Sequence, residues 1–363
     1  MSFDDKTLDQ IVSNSCEFIK YQTDPGNENE LNSLLEKIKS YLSEFTIEEF
    51  EKEGSRSILV YNCQTRPEKF KVILNGHLDV IPGKESQYFP IIEGDYLYWV
   101  GAMDMKSNVA CLLEVYKNMA NKVDYPLWLQ IVTDEEVGGF NWTKYQIENW
   151  INADFVIASE TTWFDIVNKA KWIMWLKVNF YGETAHWAYP WNWTNAVLKA
   201  TRFINKLHEK YPNPSFDTWQ TTINISSISS SNQSFNKIPD DCEVRMDVRY
   251  TPENKDILYQ DILDIAGDAE VQKIVDEPCL DVSENNEFLQ FLKENTEDVI
   301  KNNIRFYGAN GSSDARHFSR IGSPWVEFWP VGWWIWTDVE WIYIPSLKNY
   351  YDILEKFLLA IDE

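Results

Sequence analysis

The stretch KVILNGHLDV, residues 71–80, decides the fold class of this chain. Its first half is almost continuously apolar, which is typical of a strand buried on both faces of a sheet. The run ends in polar residues, among them His77 and Asp79. A buried strand that delivers polar side chains at its C-terminal end predicts a site at that end of the sheet.

Two further segments repeat this pattern. YPLWLQIVTDEE (125–136) and DFVIASE (154–160) are apolar runs that end in carboxylates. MKSNVACLLEVYKNMA (105–120) lies between two of the strands and has helical spacing. Strands that alternate with helices predict an α/β sheet with its site at the carboxyl edge.

The pattern changes near residue 172. WIMWLKVNFYG (172–182) alternates between apolar and polar residues, and helical and strand-like segments follow it in the order β-α-β-β-α-β. This order predicts an inserted α+β domain of ferredoxin-like type. We therefore predict one domain from residues 1–171 and 282–363, and an inserted domain from residues 172–281.

Composition excludes several classes of function. The chain has 363 residues, a formal net charge of -24 and a pI of about 4.6. Such a field repels phosphate backbones and anionic lipid, so we expect neither nucleic-acid binding nor membrane association. No apolar run approaches the roughly 18 residues of a membrane span, and the first residues have neither the basic nor the apolar region of a secretory signal, so we expect neither feature. Five scattered Cys predict reduced thiols and a cytoplasmic protein.

The His77–Asp79 pair is the first candidate site. Residues i and i+2 of a strand face the same way, so Asp79 is placed to orient the His77 imidazole. An H-x-D pair by itself is more typical of a hydrogen-bonded core histidine than of a metal ligand. The interpretation as a ligand depends on the carboxylates elsewhere in the sequence.

Those carboxylates also stand at strand ends or in glycine-containing loops: Asp104 in GAMDMK, Glu135 and Glu136 in TDEEVGG, and Glu160 in ASE. Carboxylates at the ends of buried strands need a cation or water to satisfy them. Carboxylate and imidazole ligands without Cys suit zinc first, with cobalt or manganese as alternatives. Adjacent Glu135 and Glu136 favour a division between one general base and one ligand.

In this order, the motifs H-x-D, G-x-x-D, D-E-E and S-E closely resemble the family of di-zinc aminoacylases and carboxypeptidases. The family includes succinyl-diaminopimelate desuccinylase, acetylornithine deacetylase and carboxypeptidase G. The resemblance covers nearly the whole chain. It implies an α/β, mixed-sheet catalytic domain of zinc-peptidase type, an inserted lid that also serves for dimerisation, and two bound divalent metal ions.

The resemblance also implies roles for single residues. His77 and Glu160 would bind the first metal ion, Asp104 would bridge both, and Glu136 would bind the second. Asp79 would orient His77. Glu135 would be the general base that activates a water.

Residues of the lid and of the segment SSDARHF complete the implied site. His186 resembles the lid histidine that stabilises the oxyanion, in relatives often across the dimer. Asn236 and Arg316 resemble residues that contact the substrate and its carboxylate. We expect His208 to be a solvated surface residue and His317 to be structural.

The expected function is metal-dependent hydrolysis of an amide bond in an N-acyl amino acid or small peptide with a free carboxylate. We expect a homodimer through the lid domain. The alternative is a non-catalytic or single-metal relative that acts as a binding protein. It is raised by Trp336, which stands where the family has its last metal ligand, a His; the only polar atom of Trp is an N–H donor.

Tryptophan is over-represented in this chain. Trp (17) outnumbers Gly (14), whereas average usage would give about 25 Gly at this length. Relatives have Gly at six of these positions, and four more occur in turn-like contexts: Trp99, Trp172, Trp187, Trp329, Trp333 and Trp334, then Trp142, Trp150, Trp163 and Trp193.

We hypothesise that many of these Trp stand where the natural chain has Gly, as a reassigned codon read as Trp would produce. Engineering, a divergent aromatic-rich relative and an aromatic carbohydrate- or peptide-binding surface are alternatives. Trp336 falls outside the hypothesis, since His is expected there.

Overall fold

The computed structural model describes residues 5–139, 141, 143–159, 162–311, 313–333 and 337–361. Two compact units make up this part of the chain. The first comprises residues 1–169, 282–307 and 313–363, and the second comprises residues 170–281 and 308–312. The sequence pattern assigned 308–312 to the catalytic domain. They group with the second unit because Lys171 N donates to Ala309 O (3.3 Å) and Gly308 lies directly against the Trp219 ring.

The helices are α1 (Asp5–Ile19), α2 (Glu28–Tyr41), α3 (Lys106–Met119), α4 (Thr143–Glu148), α5 (Ala196–Lys210), α6 (Leu258–Ala266), α7 (Glu287–Ile300) and α8 (Ile344–Ala360). The strands are β1 (Thr46–Lys52), β2 (Ser55–Tyr61), β3 (Phe70–His77), β4 (Ile91–Glu93), β5 (Tyr96–Tyr98), β6 (Leu127–Val132), β7 (Ala153–Ala158), β8 (Ile166–Ala170), β9 (Trp172–Tyr181), β10 (Thr222–Ser229), β11 (Asp241–Tyr250), β12 (Glu270–Glu277), β13 (Phe306–Ala309), β14 (Trp325–Glu327), β15 (Gly332–Trp333) and β16 (Trp341–Tyr343). Short 3₁₀ turns connect several of them, including one at Glu135–Val137.

The main sheet has eight strands in the order β1-β2-β6-β3-β7-β14-β8-β13. Its centre is parallel, since β3 pairs in parallel with both β6 and β7, while β1, β2 and β8 add antiparallel partners. Helix α3 packs against β3 and β6, and α1 and α8 pack against α3. The apolar runs that predicted buried strands are buried in this core, and the predicted mixed-sheet α/β domain is confirmed.

The register of the central strands brings their polar ends to one edge. His77 is paired with Val132 at the end of β6, and Asn75 with Ala158 at the end of β7. Because β3, β6 and β7 are parallel, His77 and the residues that follow Val132 and Ala158 leave the sheet at the same edge.

A second, small sheet was not predicted. Its order is β15-β16-β5-β4, and Trp341 of β16 is paired with Tyr98 of β5. These strands have only two or three residues, too short for an alternating pattern to be recognised. The small sheet joins the segment before Asp104 to the segment after residue 336.

The inserted unit contains the four-stranded sheet β10-β11-β9-β12 with α5 and α6 on one face. The β-α-β-β-α-β order and this strand order are those of a ferredoxin-like domain, as predicted. Its core is formed by inward-facing residues of the sheet and the two helices, including Val178, Phe203 and Val244.

Three Trp of the glycine-like set have backbone angles that favour Gly. The φ angles of Trp99, Trp150 and Trp163 are 99°, 68° and 55°. An L-residue in this left-handed region is strained, by about 1–3 kcal/mol at each position. Trp142 and Trp334 lie outside the described residues. Within the described ranges, no helix is both long and apolar enough to span a membrane.

Candidate metal centre

His77 is the central residue of the candidate site. It ends β3, is 2% exposed, and its Nε2 lies 3.0 Å from Asp104 Oδ1. Its Nδ1 lies 2.9 Å from the carbonyl oxygen of Asp79 and 3.4 Å from Asp79 Oδ1. Burial lowers the pKa of His77, but the carboxylates of Asp104 and Asp79 outweigh it and hold that pKa well above its usual value. The predicted grouping of these three residues is present.

Asp104 belongs to a tightly held loop that precedes α3. The backbone N–H groups of Met103 and Asp104 both donate to Glu340 Oε1, at 2.7 and 2.9 Å. The Asp104–Met105 peptide bond is cis, and the backbone N–H of His77 contacts Met105 Sδ at 3.2 Å. The loop is therefore fixed both to β3 and to the C-terminal segment.

The turn that carries Glu135 and Glu136 is also attached to the His77 side of the site. The backbone N–H of Glu136 donates to Asp79 Oδ2 at 2.8 Å, so one carboxylate contacts both His77 and this turn. Gly138 and Gly139 follow with φ angles of 107° and 64°. A Cβ at Gly139 would lie 2.4 Å from Asp314 Cβ, so both the conformation and the close approach require glycine there.

The carboxylates at this edge destabilise one another's ionised forms. Burial raises the pKa of Glu135 well above its usual value; His77 opposes this, whereas Asp314, Asp104 and Asp79 raise it further. Burial raises the pKa of Glu340 to about 8, and the Asp104 carboxylate adds to that shift. Similarly, burial raises the pKa of Asp134 to about 8. A divalent cation among these groups would offset both their desolvation and their repulsion.

Imidazole and carboxylate donors in a buried, anionic setting suit zinc, cobalt or manganese, so the residues present fit such an ion. Within the described ranges, no three His, Cys, Asp or Glu side chains are grouped closely enough to enclose one. Two positions that the resemblance assigns to metal binding, Glu160 and Trp336, lie outside the described residues. Ser159, just before Glu160, is buried and hydrogen-bonds to the Tyr350 hydroxyl at 2.7 Å.

The side chains of Arg316 and His317 contact the end of the turn that carries Glu135 and Glu136. Arg316 is buried, and its guanidinium donates to Gly138 O at 2.6 Å and to Ser313 O at 2.9 Å. His317 is fully buried, with Nε2 3.4 Å from the same Gly138 oxygen. That Arg316 binds the substrate carboxylate stays a prediction. Its contacts with Gly138 and Ser313 also give it a structural role, which is to hold the turn in place.

Sequence reasoning assigned no role to two residues of the site. Asp314 is buried against Gly139 and accepts a hydrogen bond from the Thr143 hydroxyl. Glu340 holds the Asp104 loop, as described above. Asp314 lies in SSDARHF and Glu340 in TDVEW. A single acidic residue in a loop has no periodic pattern around it that would predict its burial.

His186 and Asn236 lie together in the inserted unit. His186 forms an isolated β-bridge with Lys237, and the backbone N–H of Trp187 donates to Asn236 O at 2.9 Å. Both residues are exposed, and His186 Nδ1 accepts from the backbone N–H of Ala188 at 3.1 Å. The imidazole is thus oriented by its own loop, with its other nitrogen available to solvent or ligand. His208, predicted to be a solvated residue, lies in the last turn of α5.

The known proteins that this chain resembles include peptidases and deacetylases. A family profile described as a peptidase dimerisation domain matches residues 168–273, which lie almost entirely in the inserted unit. An acetylornithine deacetylase from Yersinia pestis is 29% identical over 194 residues, 50% of this chain and 50% of that protein. One from Aliivibrio fischeri (strain MJ11) is 28% identical over 263 residues, 69% of this chain and 68% of that protein. The matched region thus spans about half to two thirds of these relatives.

Solved structures cover almost the entire chain. An aminopeptidase PepT from Bacillus cereus has a TM-score of 0.78 at 18% identity, covering 98% of this chain and 99% of that one. An M20 family metallo-carboxypeptidase from Sulfolobus solfataricus has a TM-score of 0.72 at 18% identity, covering 96% and 98%. A dinuclear metal binding peptidase from Bacillus subtilis has a TM-score of 0.73 at 12% identity, covering 99% of each chain. At these identities the likeness shows the fold.

Proposed function

We propose that this chain, which belongs to the M20 family of peptidases and related deacylases, hydrolyses an amide bond with the help of bound divalent metal ions. The observation that carries the proposal is the buried contact between His77 and Asp104, backed by Asp79, at an edge where further carboxylates raise each other's pKa. Buried carboxylates that repel one another destabilise the fold unless a cation offsets their charge, so this arrangement favours a metal site over a purely structural one.

The proposed substrate is an N-acyl amino acid or small peptide with a free carboxylate. The names of the curated relatives make N-acetylornithine the first compound to test, and those of the solved structures make di- and tripeptides the second. A Glu at position 160 also favours deacylase or carboxypeptidase activity over aminopeptidase activity, by resemblance to the family.

The metal-binding residues would be His77, Asp104, Glu136 and Glu160, with zinc as the first expectation. When bound, two such ions supply a water of lowered pKa. Glu135 lies on the half-buried turn next to Glu136 and has a raised pKa, so it would be suited to accept a proton from the attacking water and to return it to the leaving amine.

The inserted unit would provide substrate contacts and dimerisation. By resemblance to the family, His186 would donate to the developing oxyanion, and Asn236 and Arg316 would contact the substrate. The peptidase dimerisation domain matched at 168–273 supports a homodimer through this unit. All five cysteines are free thiols, which supports a cytoplasmic location.

Metal content and turnover test the proposal together. The purified protein is reconstituted with Zn²⁺ or Co²⁺, its metal content is measured by elemental analysis, and hydrolysis of N-acetylornithine, other N-acyl amino acids and short peptides is assayed. E135Q should lower kcat by about 10²–10⁴-fold without loss of bound metal. E148Q, at an exposed glutamate of the next helix, is the matched control and should behave as wild type. Absence of both bound metal and turnover would support the binding-protein alternative.

Position 336 provides a separate test of the ligand assignment. If this position belongs to the second metal site, W336H should raise the number of metal ions bound per chain, because imidazole binds zinc and indole does not. W341H, at the neighbouring Trp of β16, is the control. An unchanged metal content in W336H would mean that the ligand has been assigned to the wrong residue.

A further inference from the structure

We propose that Glu340 is a positioning residue: its carboxylate fixes the backbone of Asp104 so that the Asp104 side chain meets the metal site. This inference rests on the proposed function, since it assigns Asp104 to metal binding. It adds a residue that neither the family motifs nor the comparisons assign to a role.

The contact is specific to the backbone of the site loop. A single oxygen of Glu340 accepts from two successive backbone N–H groups, those of Met103 at 2.7 Å and Asp104 at 2.9 Å. A side-chain carbonyl or carboxyl oxygen can accept two hydrogen bonds, and two on one oxygen restrict the orientation of the peptide between them. Glu340 is 2% exposed, so water does not compete for these bonds.

The Asp104 side chain leaves the backbone at the point that Glu340 holds. Asp104 Oδ1 lies 3.0 Å from His77 Nε2, and a displacement of the Asp104 peptide would displace this oxygen by a similar distance. Groups that hydrogen-bond to metal ligands typically orient them, and their loss weakens metal binding.

Glu340 is itself held in place by the small sheet. Its carbonyl oxygen accepts from Trp99 N at 2.9 Å, and the next residue, Trp341, is paired with Tyr98. Gly332, at the other side of the same C-terminal segment, lies so close to Met103 that a Cβ would come within 1.8 Å of its sulfur. Gly332 and Glu340 are therefore both packed against the loop that contains Asp104, and Glu340 makes the polar contact with it.

Two conservative variants separate the effect of where the Glu340 oxygens lie from the effect of their charge. E340Q keeps an acceptor oxygen at the same distance from the backbone and removes the charge, whereas E340D keeps the charge and withdraws the oxygens by one methylene. D338N, at an exposed acid of the same segment that pairs with Lys84, is the control. Each protein is titrated with Co²⁺ alone, by competition with a chromogenic chelator. Hydrogen exchange of the peptide covering residues 99–106 is measured by mass spectrometry on the metal-free protein.

We expect E340D to weaken Co²⁺ affinity about 10–100-fold and to accelerate exchange within 99–106. We expect E340Q and D338N to resemble wild type in both measurements. The opposite order, with E340Q impaired and E340D intact, would overturn the inference in favour of a charge effect. Equal behaviour of E340Q and E340D, whether both intact or both impaired, would also overturn it.

The exchange measurement keeps this inference distinct from the proposed function. If wild type binds no Co²⁺ and has no turnover, the metal-dependent hydrolase is wrong. Faster exchange in E340D but not in E340Q would still establish that Glu340 holds the Asp104 loop, while unchanged exchange in E340D would remove that role.

Discussion

At the scale of single residues, the Trp in left-handed backbone conformations are the least expected feature of this chain. A positive φ is normally adopted by Gly, or by Asn or Asp, because a Cβ clashes with the neighbouring carbonyl. Trp150 combines this strain with a side chain that is 84% exposed, so little burial offsets the cost. The backbone thus supports the hypothesis that Gly is the natural residue at some of these positions.

W150G is expected to raise the free energy of unfolding by about 1 kcal/mol, because relief of the left-handed strain exceeds the entropy that Gly adds to the unfolded chain. Chemical denaturation measures the change. W191G is the matched control, since Trp191 is 76% exposed but lies in a 3₁₀ turn, where φ is negative. Equal effects at both positions would contradict the strain argument.

Peptide mass spectrometry of the protein from its native source tests the origin of these residues. Under the hypothesis, the peptides that contain positions 187 and 333 carry Gly, and Trp at both would refute it.

The described aromatic rings do not form a flat binding surface. The ring planes of Trp163 and Trp333 meet at 70°, and those of Tyr189 and Trp191 meet at 88°.

Glu114, which lies away from the candidate site, is expected to make the free energy of unfolding depend on pH. It is 7% exposed in α3 and accepts from the Tyr41 hydroxyl and from Asn14 Nδ2. Burial raises its pKa above the usual value of 4.5, against the effects of the Tyr41 hydrogen bond and Lys117. The folded state therefore binds this proton more tightly than the unfolded state, and stability is lost as pH rises from 4.5 to the raised pKa.

E114Q removes this titration. The free energy of unfolding of E114Q relative to wild type is expected to increase with pH above 4.5 and to level off once Glu114 is ionised in the folded protein. Urea denaturation at a series of pH values measures the difference. A difference that stays constant with pH would show that the Glu114 pKa is the same in both states.

At the scale of elements, the two edges of the inserted sheet differ. β10 (TINISSIS) has no charged residue along its eight positions, whereas the opposite edge, β12 (EVQKIVDE), has four. Charged residues on edge strands discourage pairing with another chain, and their absence permits it. If the inserted unit mediates dimerisation, β10 is the edge that favours a second copy.

I228K places a charge at an exposed position of β10 and is expected to shift the dimer towards monomer. I274K places the same charge on β12, where Ile274 is also exposed, and should leave the dimer intact. Sedimentation velocity at several concentrations measures both. Dissociation by I274K alone would assign the interface to β12, and a monomeric wild type would remove the predicted homodimer.

The elements that could be predicted were the long ones. β3, β6 and β7 are apolar along most of their length because both faces are buried, and β9 and β11 alternate because one face is more exposed. β4, β5, β15 and β16 were missed because two or three residues do not establish a period, and their pairing comes from segments far apart in sequence.

At the scale of the whole molecule, metal binding is expected to contribute to stability as well as activity. The carboxylates near Glu135 repel one another in the metal-free protein, and an ion that binds only the folded state stabilises it by mass action. At a free Zn²⁺ concentration 100 times Kd this amounts to about 2.7 kcal/mol.

Removal of metal by a chelator should therefore lower Tm, and restored Zn²⁺ should raise it again. Differential scanning calorimetry of wild type and H77A measures the effect, and the Zn²⁺-dependent rise should be absent in H77A. A Tm that is the same with and without Zn²⁺ in wild type would contradict a site that is specific to the folded state.

The sequence alone determined the α/β class, the inserted ferredoxin-like unit and the residue types of the candidate site. These depend on local periodicity and on motifs within a few residues of one another. The tertiary structure alone decided which groups hold those residues: Glu340 on the Asp104 loop, and Arg316 and Asp314 behind the Glu135 turn. These contacts join segments more than 170 residues apart, and burial, which gives them their strength, is a property of the packed chain rather than of its motifs.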